Sequence, residues 1–497
     1  MRQHEFQLNT LGSKEAGVNI LNKMLSSSIA YQKFIKHKNI HPNNLVEWDR
    51  IPILNKKNFY AAYPRHEIMP PELKTDVYTI VRSSGESNAD GVSRGFYWLR
   101  LKSNEIAFSA VECQQTIKIL NLLNKKTLFI VGVSLGSWSA GRTSFTMSSI
   151  AMLPNVNMTV LSSGNQPTEI LEAITKFQAD YDQIFIANCP SAIAYFELTA
   201  KELEIDIPWK KISYVVAGEP FSEDERLRRH RAYQHNSKDL TMISVYGAAD
   251  TGSLGYESLP LIKLRQFLTL NPSIAQKLGF KQKLIPNMYH ALTEGCYLEK
   301  IDGELIVTKW QGLPLVRYNL EDRIEMISWQ GICNAIAELP DQDVKSWHKL
   351  SMLALPDILA VYGRSKGCLY LTGANIYETV IKEVAHQSKI FNKISNGTFL
   401  VWKTTENTEA LHWQIELKSG QAHPTAEEIN QLYFELIHNM GKLQEDFYED
   451  YENIYQHYTG TKSQIFKLHF CEHSHLSQHP AFSQRIKTKI IIENGPI

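Results

Sequence analysis

Between about residues 105 and 245 the chain alternates segments of helical period with short apolar runs, and this alternation limits the possible folds most sharply. A helical stretch over 105–123 precedes the apolar run 127–133, and a second leads to 158–161. Helical periods over 168–177, 191–204 and 222–235 are followed by apolar runs at 183–187, 213–217 and 241–245. Runs that are apolar throughout suit strands buried on both faces, and helices between them imply a mostly parallel sheet covered by helices.

After about residue 260 the pattern turns β-rich. "YLEKIDGELIVTKW" predicts a hairpin turning at Asp302-Gly303. A new unit begins near Gly363, where strand pairs and helices mix. The expected fold is α/β. A large N-terminal domain, residues 1–362, holds mixed or parallel sheets flanked by helices plus a β-rich subdomain. A small mobile α+β lid covers 363–497.

With 497 residues, 43% of them hydrophobic, the chain can bury a substantial core. A formal net charge of zero supplies no field for nucleic acid or an anionic membrane surface. Six scattered cysteines suggest neither a zinc ribbon nor a disulfide framework. No apolar run approaches the roughly 20 residues that span a bilayer, and the first residues lack a secretory core. A soluble, cytoplasmic protein is expected.

Four stretches carry chemistry. "VRSSGESNADG" follows a strand-like run and places Ser83, Ser84, Gly85 and Ser87 in a small-residue loop. Alone, that loop is either a phosphate cradle or a solvated turn. "VVAGEPFSEDE" sets Gly218, Glu219 and Pro220 between a strand and a helix, and "SVYGAADTG" sets Tyr246, Gly247 and Asp250 after the next strand. Ligands of parallel sheets bind beyond the C-terminal strand ends, so these loops suit a purine ring and a Mg²⁺-bound phosphate, with Asp250 as the metal ligand. "RYNLED" offers Asp322 as an acceptor for two ribose hydroxyls, and Gly363-Arg364 offers a guanidinium for phosphate or ribose oxygens.

In this order the pieces resemble the adenylate-forming enzymes, most closely the phenylacetate–CoA ligase branch. The matching segments are Ser83-Ser84-Gly85, Gly218-Glu219-Pro220, Tyr246–Asp250, Arg317–Asp322, Gly363-Arg364 and Gly373-Ala374-Asn375-Ile376. The chain departs from the family pattern at Glu86, Ser87 and Asn88, at Ala249 in place of a hydroxyl residue, and at Asp250 in place of glutamate.

The resemblance implies ATP-dependent activation of an aryl or acyl carboxylic acid as acyl-AMP with release of pyrophosphate. It implies Mg²⁺ as cofactor and transfer to an acceptor, first the thiol of CoA. Amide or ester synthesis, carrier-protein loading, or nucleotide binding without turnover are the alternatives. It further implies Lys489, with Lys487 as the second choice, as the lid lysine acting with Arg364. The small residues of "GVSLGSWSAGRTSF" leave room for an acyl group beside Gly136, Ser137, Trp138 and Gly141.

Overall fold

The computed structural model describes residues 6–492 apart from 39, 41–46, 84–95, 134, 138, 165, 237–238, 281–284, 341–343, 365–367, 372–373, 405–409, 445–446, 448–464, 480–481 and 483–489. Among the described residues thirteen strands form one mixed sheet. Strands Met158–Leu161, Thr127–Val131, Gln183–Asn188, Ile212–Ala217 and Met242–Ala248 lie side by side in that spatial order, all parallel. The strand Gln183–Asn188 is buried at every position, as the apolar run Ile184–Ala187 within it requires. Helices Pro167–Phe177, Pro190–Glu202 and Glu223–Ala232 connect these strands.

At Met242–Ala248 the sheet changes character. The chain turns through 249–251 and returns antiparallel as Gly252–Tyr256. From there Asn287–Ala291, Ile358–Arg364, Leu315–Ile327, Glu304–Lys309 and Cys296–Ile301 continue the same sheet, each antiparallel to its neighbour. The β-rich section is therefore joined to the parallel half edge to edge. The Asp302-Gly303 turn has φ of 52° and 78°, the two positive values that a two-residue type I′ hairpin needs.

A separate core runs from Ile376 to Ile491 around Trp413 and Phe466. It lies between helices Glu378–His386 and Ala426–Leu443 and a three-stranded sheet of Ser395–Thr404, Ala410–Leu417 and Phe466–Cys471. The chain end returns to that sheet: the Val401 amide donates to the Ile490 carbonyl at 2.7 Å, and the Ile492 amide to the Val401 carbonyl at 2.9 Å. Among the described residues, no helix is long and apolar enough to cross a membrane.

Candidate active site

The turn at 249–251 stands where the parallel and antiparallel halves of the sheet meet, a place where α/β sheets open a crevice for ligands. The turn is pinned by its carbonyls. Arg100 donates to the Ala249 carbonyl at 2.6 Å and to that of Ala248 at 3.2 Å. Lys309 donates to the Thr251 carbonyl at 2.9 Å, and the Gln311 amide donates to that of Asp250. Gly247 is required beside this turn, because a Cβ there would lie 2.5 Å from the Gly252 carbonyl oxygen.

Two Tyr-x-x-x-Asp segments, 246–250 and 318–322, interlock beside this turn. The Tyr246 hydroxyl donates to Asp322 Oδ2 at 2.5 Å, and the Tyr318 hydroxyl donates to Asp250 Oδ2 at 2.7 Å. Burial, together with the neighbouring carboxylate, holds both phenols well above their ordinary pKa, so both remain donors. Tyr246 also stacks on Tyr289, with ring centroids 5.3 Å apart.

Asp322 faces Arg364 across the strand pair, in direct register. The Arg364 Nε lies 3.2 Å from Asp322 Oδ1, and its Nη1 donates to the Leu320 carbonyl at 2.7 Å. The Asp322 carboxylate raises the Arg364 pKa further, so that guanidinium is a permanent cation. The acid is buried while half of the arginine side chain is exposed.

Asp250 is 1% exposed. Its Oδ1 accepts from the Thr251 amide at 3.2 Å, and its Oδ2 lies 3.4 Å from the Lys56 ammonium. Burial alone would raise this carboxyl, but Lys56, Arg364 and the Tyr318 hydroxyl outweigh it and hold the pKa below the ordinary value. A carboxylate already shared between a phenol and an ammonium does not suit a metal ion.

The loop after Ile212–Ala217 is held from behind. Gly218 has φ of 88°, the left-handed region that favours glycine. Glu219 lies 3.7 Å from Lys382, and the Phe221 amide donates to Asn287 Oδ1 at 3.1 Å. Arg265 donates to the Phe221 carbonyl at 2.5 Å. The Phe221 ring sits under two guanidinium groups, Arg226 at 5.1 Å and Arg265 at 4.9 Å. Both arginines meet Glu223 and Glu257 in a buried quartet, with Arg226 at 2.7 Å from Glu257 and Arg265 at 3.3 Å from Glu223. Nothing in "SEDERLRRHR" distinguished inward Glu223 and Arg226 from the other charges of that stretch.

Ser83 closes the base of the small-residue loop: its amide donates to the Phe96 carbonyl at 2.9 Å, and its hydroxyl accepts from the Phe96 amide at 3.2 Å. The Arg82 amide donates to the Ser137 carbonyl at 2.6 Å, which joins that loop's root to the stretch expected to hold the acyl group. Gly136 has φ of 90°, and a Cβ on Gly141 would lie 3.1 Å from the Gly136 carbonyl oxygen, so the two glycines pack backbone on backbone. Ser84, Gly85, Ser87, Trp138, Gly373, Lys487 and Lys489 lie outside the described residues. Arg317 is buried. Its Nη1 donates to the carbonyls of Trp48, Asp49 and Ile51 at 3.1, 3.1 and 2.7 Å.

No protein-family model and no curated protein sequence matches the chain. Solved structures do. A 2-hydroxyisobutyryl-CoA ligase bound to R3-HIB-AMP in its postadenylation state aligns with a TM-score of 0.61 at 11% identity, over 97% of this chain and 88% of that one. The GH3.15 acyl acid amido synthetase aligns with a TM-score of 0.57 at 12% identity, over 97% of this chain and 91% of that one. From end to end, the chain has the fold of the adenylate-forming enzymes.

Proposed function

We propose that the chain activates an organic carboxylic acid as its acyl adenylate and passes the acyl group to an acceptor. The substrate carboxylate attacks the α-phosphorus of ATP. A C–O–P linkage forms, the α–β phosphoanhydride bond breaks, and pyrophosphate leaves. The observation that carries this reading is the Asp322–Arg364 pair, set in register beside Tyr246 at the crevice of this fold.

Each residue then has a task. The segments Gly218-Glu219-Pro220 and Tyr246-Gly247 flank the base. Asp322 takes the ribose hydroxyls, and Arg364 meets the ribose or α-phosphate oxygens, where negative charge builds as the adenylate forms. The loop rooted at Ser83, with Ser84, Gly85 and Ser87, encloses the phosphates. The stretch with Gly136, Ser137, Trp138 and Gly141 holds the acyl group. Lys489 of the C-terminal unit, residues 363–497, neutralises charge during the first half-reaction.

The motif order favours the phenylacetate–CoA ligase branch and hence CoA as acceptor. An amine is the second reading, because the amido synthetase matches the fold about as well as the CoA ligase does. Incubating a preformed adenylate with CoA, amines or a carrier protein separates the acceptors. Pyrophosphate release across a panel of acids tests the activation step. No acid-dependent release, from protein shown to bind ATP, would leave a nucleotide-binding protein without turnover.

A further inference from the structure

Lys56 stands beside Asp250 with no part in the reading above. Its position is fixed by the sheet. The Leu54 amide donates to the Arg317 carbonyl at 3.0 Å, and the Asn319 amide donates to the Leu54 carbonyl at 2.8 Å. Asn55 and Asn58 each take the other's amide at 2.7 Å, and the Tyr60 hydroxyl donates to the Pro314 carbonyl at 2.8 Å. The short helical turn Lys56–Tyr60 is thereby pinned at both ends.

From that turn Lys56 reaches Asp250 at 3.4 Å, with 32% of its side chain exposed against 2% for the aspartate. An ammonium has three donors, and among the described residues Asp250 is the one anion paired with it. The arrangement resembles that of Arg364 on Asp322: a buried acid behind, a base that is partly exposed in front. Mg²⁺ takes oxygen ligands at about 2.0–2.1 Å in strict octahedral geometry. Beside an ammonium that already occupies Asp250, a dication would be repelled.

We propose that Lys56 is a phosphate-binding residue: held on Asp250 where a carboxylate-bound metal was expected, its ammonium meets the polyphosphate of the nucleotide directly. This rests on the nucleotide-site reading above. It further assigns Asp250 the task of orienting a cation that belongs to the chain itself.

The test uses the full chain, the parent beside Lys56→Met and Lys56→Arg, titrated calorimetrically in EDTA with adenosine, ATP and inorganic tripolyphosphate. Lys56→Met should weaken ATP and tripolyphosphate by about tenfold to a hundredfold, the scale of one charged hydrogen bond. Adenosine affinity should stay unchanged, and Lys56→Arg should recover most of the loss. Mn²⁺ alone, followed by electron paramagnetic resonance, should show no tight site that Asp250→Asn abolishes. Unchanged ATP affinity in Lys56→Met, an equal loss for adenosine, or such a Mn²⁺ site would each overturn the proposal. Tripolyphosphate binding that depends on Lys56, in a parent that does not bind adenosine, would uphold Lys56 and overturn the nucleotide site. Absence of binding by all three probes would overturn both.

Discussion

Asp322 holds Arg364 on one oxygen and the Tyr246 hydroxyl on the other, so its loss disturbs both groups together. Asp322→Ala should weaken AMP binding by about 1.5–3 kcal/mol, as for a hydrogen bond to a charged group. Calorimetry with AMP checks this, and unchanged affinity would remove Asp322 from the site. His290 makes a different prediction. It is fully buried, its Nδ1 donates to the Pro356 carbonyl at 2.7 Å, and its Nε2 accepts the Ser258 hydroxyl at 2.8 Å. Burial pushes its pKa down to about 4. The unfolded chain binds a proton near pH 6.5 that the folded chain refuses, so this stabilisation is full above 6.5 and fades as pH falls toward 4. Its span is about 3 kcal/mol. Denaturation midpoints of the parent should fall across that window relative to those of His290→Gln; parallel midpoints would contradict the assignment.

At the scale of elements, the helix Glu223–Ala232 buries its first turn against Leu259–Leu270 through the Arg226, Glu223, Glu257 and Arg265 quartet. Breaking a buried pair strands the remaining charge and costs about 3–5 kcal/mol. Arg265→Met should lose that much in chemical denaturation, whereas Lys176→Ala, from an exposed pair with Glu172, should stay within about 1 kcal/mol of the parent. Equal effects would show that the quartet does not hold the loop.

Much of this element pattern was legible in the sequence. Met158–Leu161 and the other four strands of the helix–strand alternation follow directly from apolar period. Their period switches between 3.6 and a solid apolar run, and burial enforces both. The return strand Gly252–Tyr256 and the strand Asn287–Ala291 were not legible, because their edges carry Gly, Ser, Asn and His that only tertiary partners satisfy. The inward turn of Arg226 and Arg265 and the pairing of Lys56 with buried Asp250 were hidden for the same reason: a charge looks alike in sequence whether solvent or a buried carboxylate faces it.

At the scale of the molecule, the helix Glu378–His386 docks on the loop at residues 218–222. The Ser222 hydroxyl donates to Glu383 Oε2 at 2.7 Å, and Arg228 donates to both Glu383 oxygens at 2.7 and 3.1 Å. Glu383→Ala should raise hydrogen exchange both in that helix and in residues 218–222, while Lys393→Ala, from the half-exposed pair with Glu428, should leave both unchanged. Faster exchange in only one of the two segments would contradict the coupling.

The activation step itself is the central claim, and trapping its product tests it most directly. The protein is incubated with ATP and a mixture of aliphatic, aryl and hydroxy acids, and its bound small molecules are weighed by mass spectrometry. The account predicts a species equal to one acid plus AMP minus water, with pyrophosphate released in equal amount, and no such species from Asp322→Ala. Nucleotide bound intact with every acid, or cleaved to ADP and phosphate without any acid, would contradict it.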